Sequence, residues 1–182
     1  MKNLVSIFLL VLGALVFSNA TFAADVAITS IGQAADGMMT KVLMKKLNMD
    51  TDYDSVLSAG KLGAQKVVIA VVGGSSKGLG AAGISKEEEK VRGKTLLQEA
   101  KRRGIKVLVM HIGGDRRRGE LTDAFIKAVA GLADRLIVVK SGNFDGIFTT
   151  AKSPGAKLTE VETAQAIVPV LDATLKEWGG TQ

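Results

Sequence analysis

Four aliphatic runs, each breaking into a glycine-bearing polar segment, constrain this chain more than any other feature. They are Val26 to Ser30, Lys66 to Val72 (KVVIAVV), Ile105 to Ile112 (IKVLVMHI) and Arg135 to Lys140 (RLIVVK). None alternates cleanly between apolar and polar residues, so each reads as a strand covered on both faces, as in a parallel sheet. Weaker strand signals lie at Thr51 to Asp54 and Leu158 to Val161. Helical periodicity fills the gaps. Met39, Val42, Leu43 and Leu47 fall on one face of a first helix. A second covers about Ser85 to Arg103, with a Ser85–Glu88 capping box, acids at its start, bases at its end and Gly104 as its stop. A third starts near Thr122 as N-cap and turns Phe125 and Val129 inward. A short helix follows Asp145. The last spans about Gln165 to Trp178 with Ile167, Leu171, Leu175 and Trp178 on one face, and Pro169 either kinks it or marks a later start.

This alternation predicts the α/β class: a three-layer sandwich around a mostly parallel, flavodoxin-like or Rossmann-like sheet of five to six strands. The expected order is 2-1-3-4-5, with any sixth strand at the edge. The length of 182 residues suits one domain burying about two-thirds of its unfolded surface. The first segment is excluded from it. Lys2, the apolar run Leu4 to Phe17 and the small residues before Ala24 read as a signal peptide cleaved after Ala23. The run is shorter than the ~20 residues of a spanning helix. Residues 24–182 are then expected as a single exported α/β domain, periplasmic or secreted, with no membrane span once the signal is removed.

Composition removes several chemistries. There is no cysteine, so no disulfide framework, thiolate metal site or cysteine nucleophile. One histidine, His111, cannot build a multi-histidine metal centre, and no metal or cofactor is expected. Aromatics at 4% weigh against flavin and nucleic-acid binding.

In a parallel sheet the glycine-bearing loops share the carboxyl edge, where open α/β sheets bind ligands at the reversal of strand order. That places Thr29 to Asp36 opposite the long loop Gly73 to Gly83. Five glycines, two serines and a lysine in eleven residues exceed what a turn needs. Residues 77 to 118 carry twelve Lys or Arg against five acids, a net of +7. Most helix charges among them read as a solvated face. Lys77 and Arg116 to Arg118 differ, because their loops meet the carboxyl edge, and glycine-loop amides beside arginine make an anion site. The expected ligand-binding residues are Ser30, Gln33, Asp36, Gly73, Gly74, Ser75, Ser76, Lys77, Gly78, Gly80, His111, Gly113, Gly114, Arg116, Ser141 and Asn143.

Three motif matches are weaker. Gly78 to Gly83 satisfies G-x-G-x-x-G, but it begins several residues past the strand, and the next strand tip has no acidic residue for a ribose. Gly74 to Gly78 satisfies G-x-S-x-G, but helix is expected only from Ser85, whereas a nucleophile elbow needs it directly after the serine. Ser76, His111 and Asp115 nonetheless remain a candidate triad of an exported serine hydrolase. The segment Thr29 to Ala34 slightly resembles the flavodoxin phosphate loop, departing where that family is rich in threonine or asparagine.

The combination TSxGQxxDG (Thr29 to Gly37), GGSSKGLGAAG (Gly73 to Gly83), HIGG (His111 to Gly114) and KSGN (Lys140 to Asn143) resembles an exported bacterial family catalogued only as a domain of unknown function. The resemblance implies a secreted or periplasmic α/β domain and no particular activity. The residues themselves point to a binding domain for a small anionic or polar molecule. Such a domain is small for a two-lobed receptor, so a protein partner or a second copy is a further expectation. An interaction module is the third reading beside the hydrolase.

Overall fold

The computed structural model describes residues 24–179; the signal peptide expected at residues 1–23 lies outside them. The aliphatic runs form strands β1 (Val26–Ile31), β3 (Val67–Val72), β4 (Lys106–His111) and β5 (Arg135–Val139), and the weaker ones form β2 (Thr51–Tyr53) and β6 (Lys157–Val161). All six pair in parallel in the order β2-β1-β3-β4-β5-β6, so the expected sheet is present with its sixth strand at the edge.

Helices α1 (Asp36–Lys46), α3 (Lys86–Arg102), α4 (Glu120–Val129), α5 (Ile147–Ala151) and α6 (Ile167–Glu177) cover both faces. Strand residues alternate between two cores. Val68, Ala70, Val72, Val107 and Val109 meet Leu96, Leu97, Phe125, Ile126 and Phe148 from α3, α4 and α5. Val67, Ile69, Val71, Leu108 and Met110 meet Met44, Ile167, Leu171 and Leu175 from α1 and α6. This explains the missing alternation: both faces of β1 and β3 are dry.

The second helix has its capping box at Ser85 and Glu88 and ends before Gly104, whose φ is +73°. Elsewhere the sequence expectations need correction. Helix α2 (Ser76–Ala81) occupies the middle of what reads as one long loop from Gly73 to Gly83, with the Ser75 hydroxyl capping it by accepting from the Gly78 N–H. In α1 the buried positions are Asp36, Gly37, Thr40 and Met44, while Met39 and Val42 are half exposed. Gly37 sits against Ser30 and Tyr53, so the helix meets the sheet along its small residues and turns the Met39 side away. Thr122 is not an N-cap. It is the third residue of α4, and its hydroxyl is engaged between loops, accepting from the Gly74 N–H and donating to the Arg117 carbonyl. Pro169 is the third residue of α6, where its missing N–H has no intrahelical acceptor, so the helix starts later rather than kinking.

Candidate functional site

The strand order brings the β1 and β3 loops together at the carboxyl edge, and there they close on each other. Gly73 N–H donates to the Ile31 carbonyl, Ala34 N–H to the Gly73 carbonyl and Ser75 N–H to the Gly32 carbonyl, at 2.9, 3.0 and 2.8 Å. A Cβ at Gly78 would collide with the Gln33 carbonyl. The amides of Gly73, Gly74, Ser75 and Gly78 are therefore bonded within the protein, and the long glycine segment is a packed junction rather than an open cradle.

The β1 loop is held from below by a charge pair on α3. Glu89 is fully buried and accepts from Gly32 N–H at 2.8 Å, Gln33 Nε2 at 2.9 Å and Arg92 Nε at 2.6 Å. Arg92 donates onward to the carbonyls of Ser30 and Leu57. Gln33 adopts φ +61°, unusual for a residue with a side chain, and its amide is pinned between Ser55 and Glu89. Glu89 is the buried exception to the reading of most α3 charges as a solvated face. The detectable signal was its position on the inward stripe shared with Gly93, Leu96, Leu97 and Ala100.

What stays chemically open lies one strand over, at the tips of β3 and β4. Asp36, the first residue of α1, is 2% exposed, and its Oδ2 has no hydrogen-bond partner. Burial pushes its carboxyl pKa above the usual aspartate value, against the opposing pull of Arg117 and His111. A Cβ at Gly73 or Gly113 would come within 3.2 or 3.0 Å of that oxygen. Arg117 packs its stem over Gly113, and its Nε is 3.9 Å from Asp36 Oδ1, too far for a hydrogen bond. Half of the Arg117 side chain is in water. Beside it opens a polar cleft of about 250 Å³ whose lining includes Gly74, Arg116 to Arg118, Thr122 and one acid, Glu120.

The other expected residues divide clearly. Arg118 is locked between Asp123 and Asp145, donates to the Gly142 carbonyl and lies over the Phe144 ring. Those bonds raise its pKa further, hold Asp123 below its usual value and bring Asp145 down to about 2. Asn143 bonds Thr149 and Glu160 and accepts from Phe148 N–H, so it is a loop brace. The Ser30 hydroxyl donates to Ala34, and the Ser141 hydroxyl accepts from Asp115 N–H. Ser76, Lys77, Gly80 and Arg116 are exposed.

The hydrolase constellation is not assembled. Helix does start at Ser76, contrary to the sequence expectation, but Ser76 lacks the positive φ of a strained turn. His111 is completely buried, with Nδ1 2.9 Å from the Val72 carbonyl and Nε2 3.0 Å from the Gly114 carbonyl, so neither nitrogen is free to take a serine proton. A hollow of about 860 Å³ lies beside α3 and touches the expected site only at Ala82 and Gly83, the end of the glycine segment.

Among the described residues no cluster of three or more acidic, histidine or cysteine side chains is placed to hold a metal, and no helix is long and apolar enough to cross a membrane. No curated protein and no solved structure matches the chain. One family model does, over residues 23–175, which takes in every loop of the carboxyl edge. The chain therefore belongs to the family described as a domain of unknown function, DUF6305.

Proposed function

We propose that this chain is an exported domain that binds a small anionic or polar ligand at the carboxyl edge of its sheet, and that the binding groups are Asp36, Arg116 and Arg117. The observation that carries this reading is the buried, unpartnered Asp36 oxygen close to a half-exposed arginine that also lines a polar cleft together with Arg116. Buried polar atoms are almost always hydrogen-bonded, and an exception calls for a specific explanation, of which a bound ligand or ion is one. The position, at the strand ends near the reversal of order, is where such sheets bind ligands. Export rests on the sequence of residues 1 to 23. The glycine segment contributes shape, since the amides of Gly73, Gly74, Ser75 and Gly78 are engaged, and Lys77 is at most an outer charge.

Native mass spectrometry of protein purified from its own compartment should detect a retained small ligand. Addition of that ligand should raise the thermal midpoint of the wild-type chain, and the joint Arg116→Ala and Arg117→Ala variant should lose most of the shift. A ligand-induced shift of undiminished size in that variant sinks the reading. Arg118 is left intact because its side chain is committed to two aspartates.

A further inference from the structure

We propose that the ligand group taken at this edge is a phosphate that still carries a proton, with Asp36 accepting the P–OH hydrogen bond and Arg116 and Arg117 holding the charged oxygens. This rests on the anion-binding reading above and narrows it to one chemistry.

The argument starts from what Asp36 lacks. Its Oδ2 is buried without a donor. No neighbouring hydroxyl or imidazole is spare to supply one, and the Arg117 guanidinium, its Nε 3.9 Å from Oδ1, stands too far off to donate. Both His111 nitrogens face carbonyls, and the hydroxyls of Ser30, Thr40 and Thr122 donate to the carbonyls of Ala34, Asp36 and Arg117. Gly73 and Gly113 leave the oxygen free of Cβ atoms at both strand tips, and the partly solvated Arg117, close to the same carboxyl, also lines the cleft. A donor arriving with a ligand would therefore meet Oδ2 once Arg117 swings outward to engage the same ligand.

That donor must belong to an anion if the arginines are to hold it. A carboxylate beside an anion is repulsive in a poorly solvated site, unless a proton lies between the two oxygens. With that proton, the contact becomes a short charge-assisted hydrogen bond. Hydrogen phosphate keeps a P–OH at neutral pH. Sulfate and simple carboxylates do not. Asp36 then acts as a filter, rejecting unprotonated anions by repulsion while Arg116 and Arg117 supply attraction common to all of them. A cleft of about 250 Å³ that opens to solvent accommodates free phosphate or the head of a small monoester.

The test is calorimetric titration of the full chain at matched ionic strength, with sodium phosphate and sodium sulfate at neutral pH. A third arm uses methyl phosphate near pH 5, below the second pKa of about 6 typical of a monoester. The wild-type chain is expected to prefer phosphate to sulfate by at least about tenfold. Asp36→Asn offers an amide donor to sulfate, so the preference should fall to about one. Arg117→Ala should weaken both anions alike. Circular dichroism checks that each variant is folded, and Asp36→Ser, also a donor, replaces the amide if it is not.

Phosphate binding that is absent, or matched by sulfate in the wild-type chain, overturns the inference, as does a preference unchanged in Asp36→Asn. Equal sulfate binding that still depends on Arg116 and Arg117 leaves the anion reading standing. Binding of either anion that ignores both arginines removes that reading as well. Methyl phosphate binding more tightly than inorganic phosphate supports a monoester as the source; the reverse order supports free phosphate.

Discussion

Arg118 keeps 3% of its side chain exposed between Asp123 and Asp145, while Arg117, one residue earlier, keeps half of its side chain in water. Three consecutive arginines are equivalent in a sequence, and only their partners separate a structural cation from an available one. Asp36 is the converse case, a carboxyl buried without a full set of partners. It holds its proton more tightly folded than unfolded, because burial disfavours the charged form. Its contribution to stability is thus fully present below its unfolded value of 3.8 and is lost as pH rises through the folded value. Asp36→Asn should accordingly unfold at a higher temperature than the wild-type chain at pH 7, with the difference shrinking toward pH 3. Thermal denaturation across that range checks it, and a variant less stable at pH 7 contradicts it. Asp123 and Asp145 work in the opposite sense. Their depressed values give stability present above 3.8 that fades as pH falls, toward about 2 for Asp145.

Helix α3 does more than cover the sheet. Glu89 and Arg92, one turn apart on it, hold the β1 loop by the Gly32 amide, the Ser30 carbonyl and the Gln33 side chain. Glu89→Ala removes one partner of a buried pair and leaves Arg92 and the Gly32 N–H without their acceptor. The expected cost is about 3–5 kcal/mol, read from urea denaturation. A loss below about 1 kcal/mol would show that water replaces the carboxylate. The start and stop of α3 were legible from Ser85, Glu88 and Gly104, since capping is local chemistry. Helix α2 was not legible, because a segment with glycines at 78 and 80 has poor intrinsic helicity. It is helical through its Ser75 cap and the junction with the β1 loop. In α1 the apolar stripe misled, because Gly37 and Thr40 set how closely the helix meets the sheet.

Across the whole molecule the sheet separates two cores, and β3 and β4 lie at its centre with neighbours on both sides. Amides of Val68 to Val71 and Val107 to Met110 should therefore exchange hydrogen most slowly, near the global unfolding limit, while β2 and β6 at the edges exchange faster by local opening. Hydrogen-exchange mass spectrometry reads this directly, and equal protection of the edge strands would contradict it. The architecture was readable in the chain because burial on both strand faces demands continuous aliphatic runs, and parallel pairing demands crossover helices between them. The site was readable only as an edge. Asp36, Gly73, Gly113 and Arg116 could be named from their loops. That the Gly74 amide is satisfied by Thr122, that Glu89 is engaged by the β1 loop and that Arg118 is locked to Asp145 all depend on contacts between residues far apart in the chain. Local patterning dictates which elements form and which faces they bury; the free valences left at the carboxyl edge emerge only when the loops close on one another, because hydrogen-bond satisfaction is a property of the packed molecule.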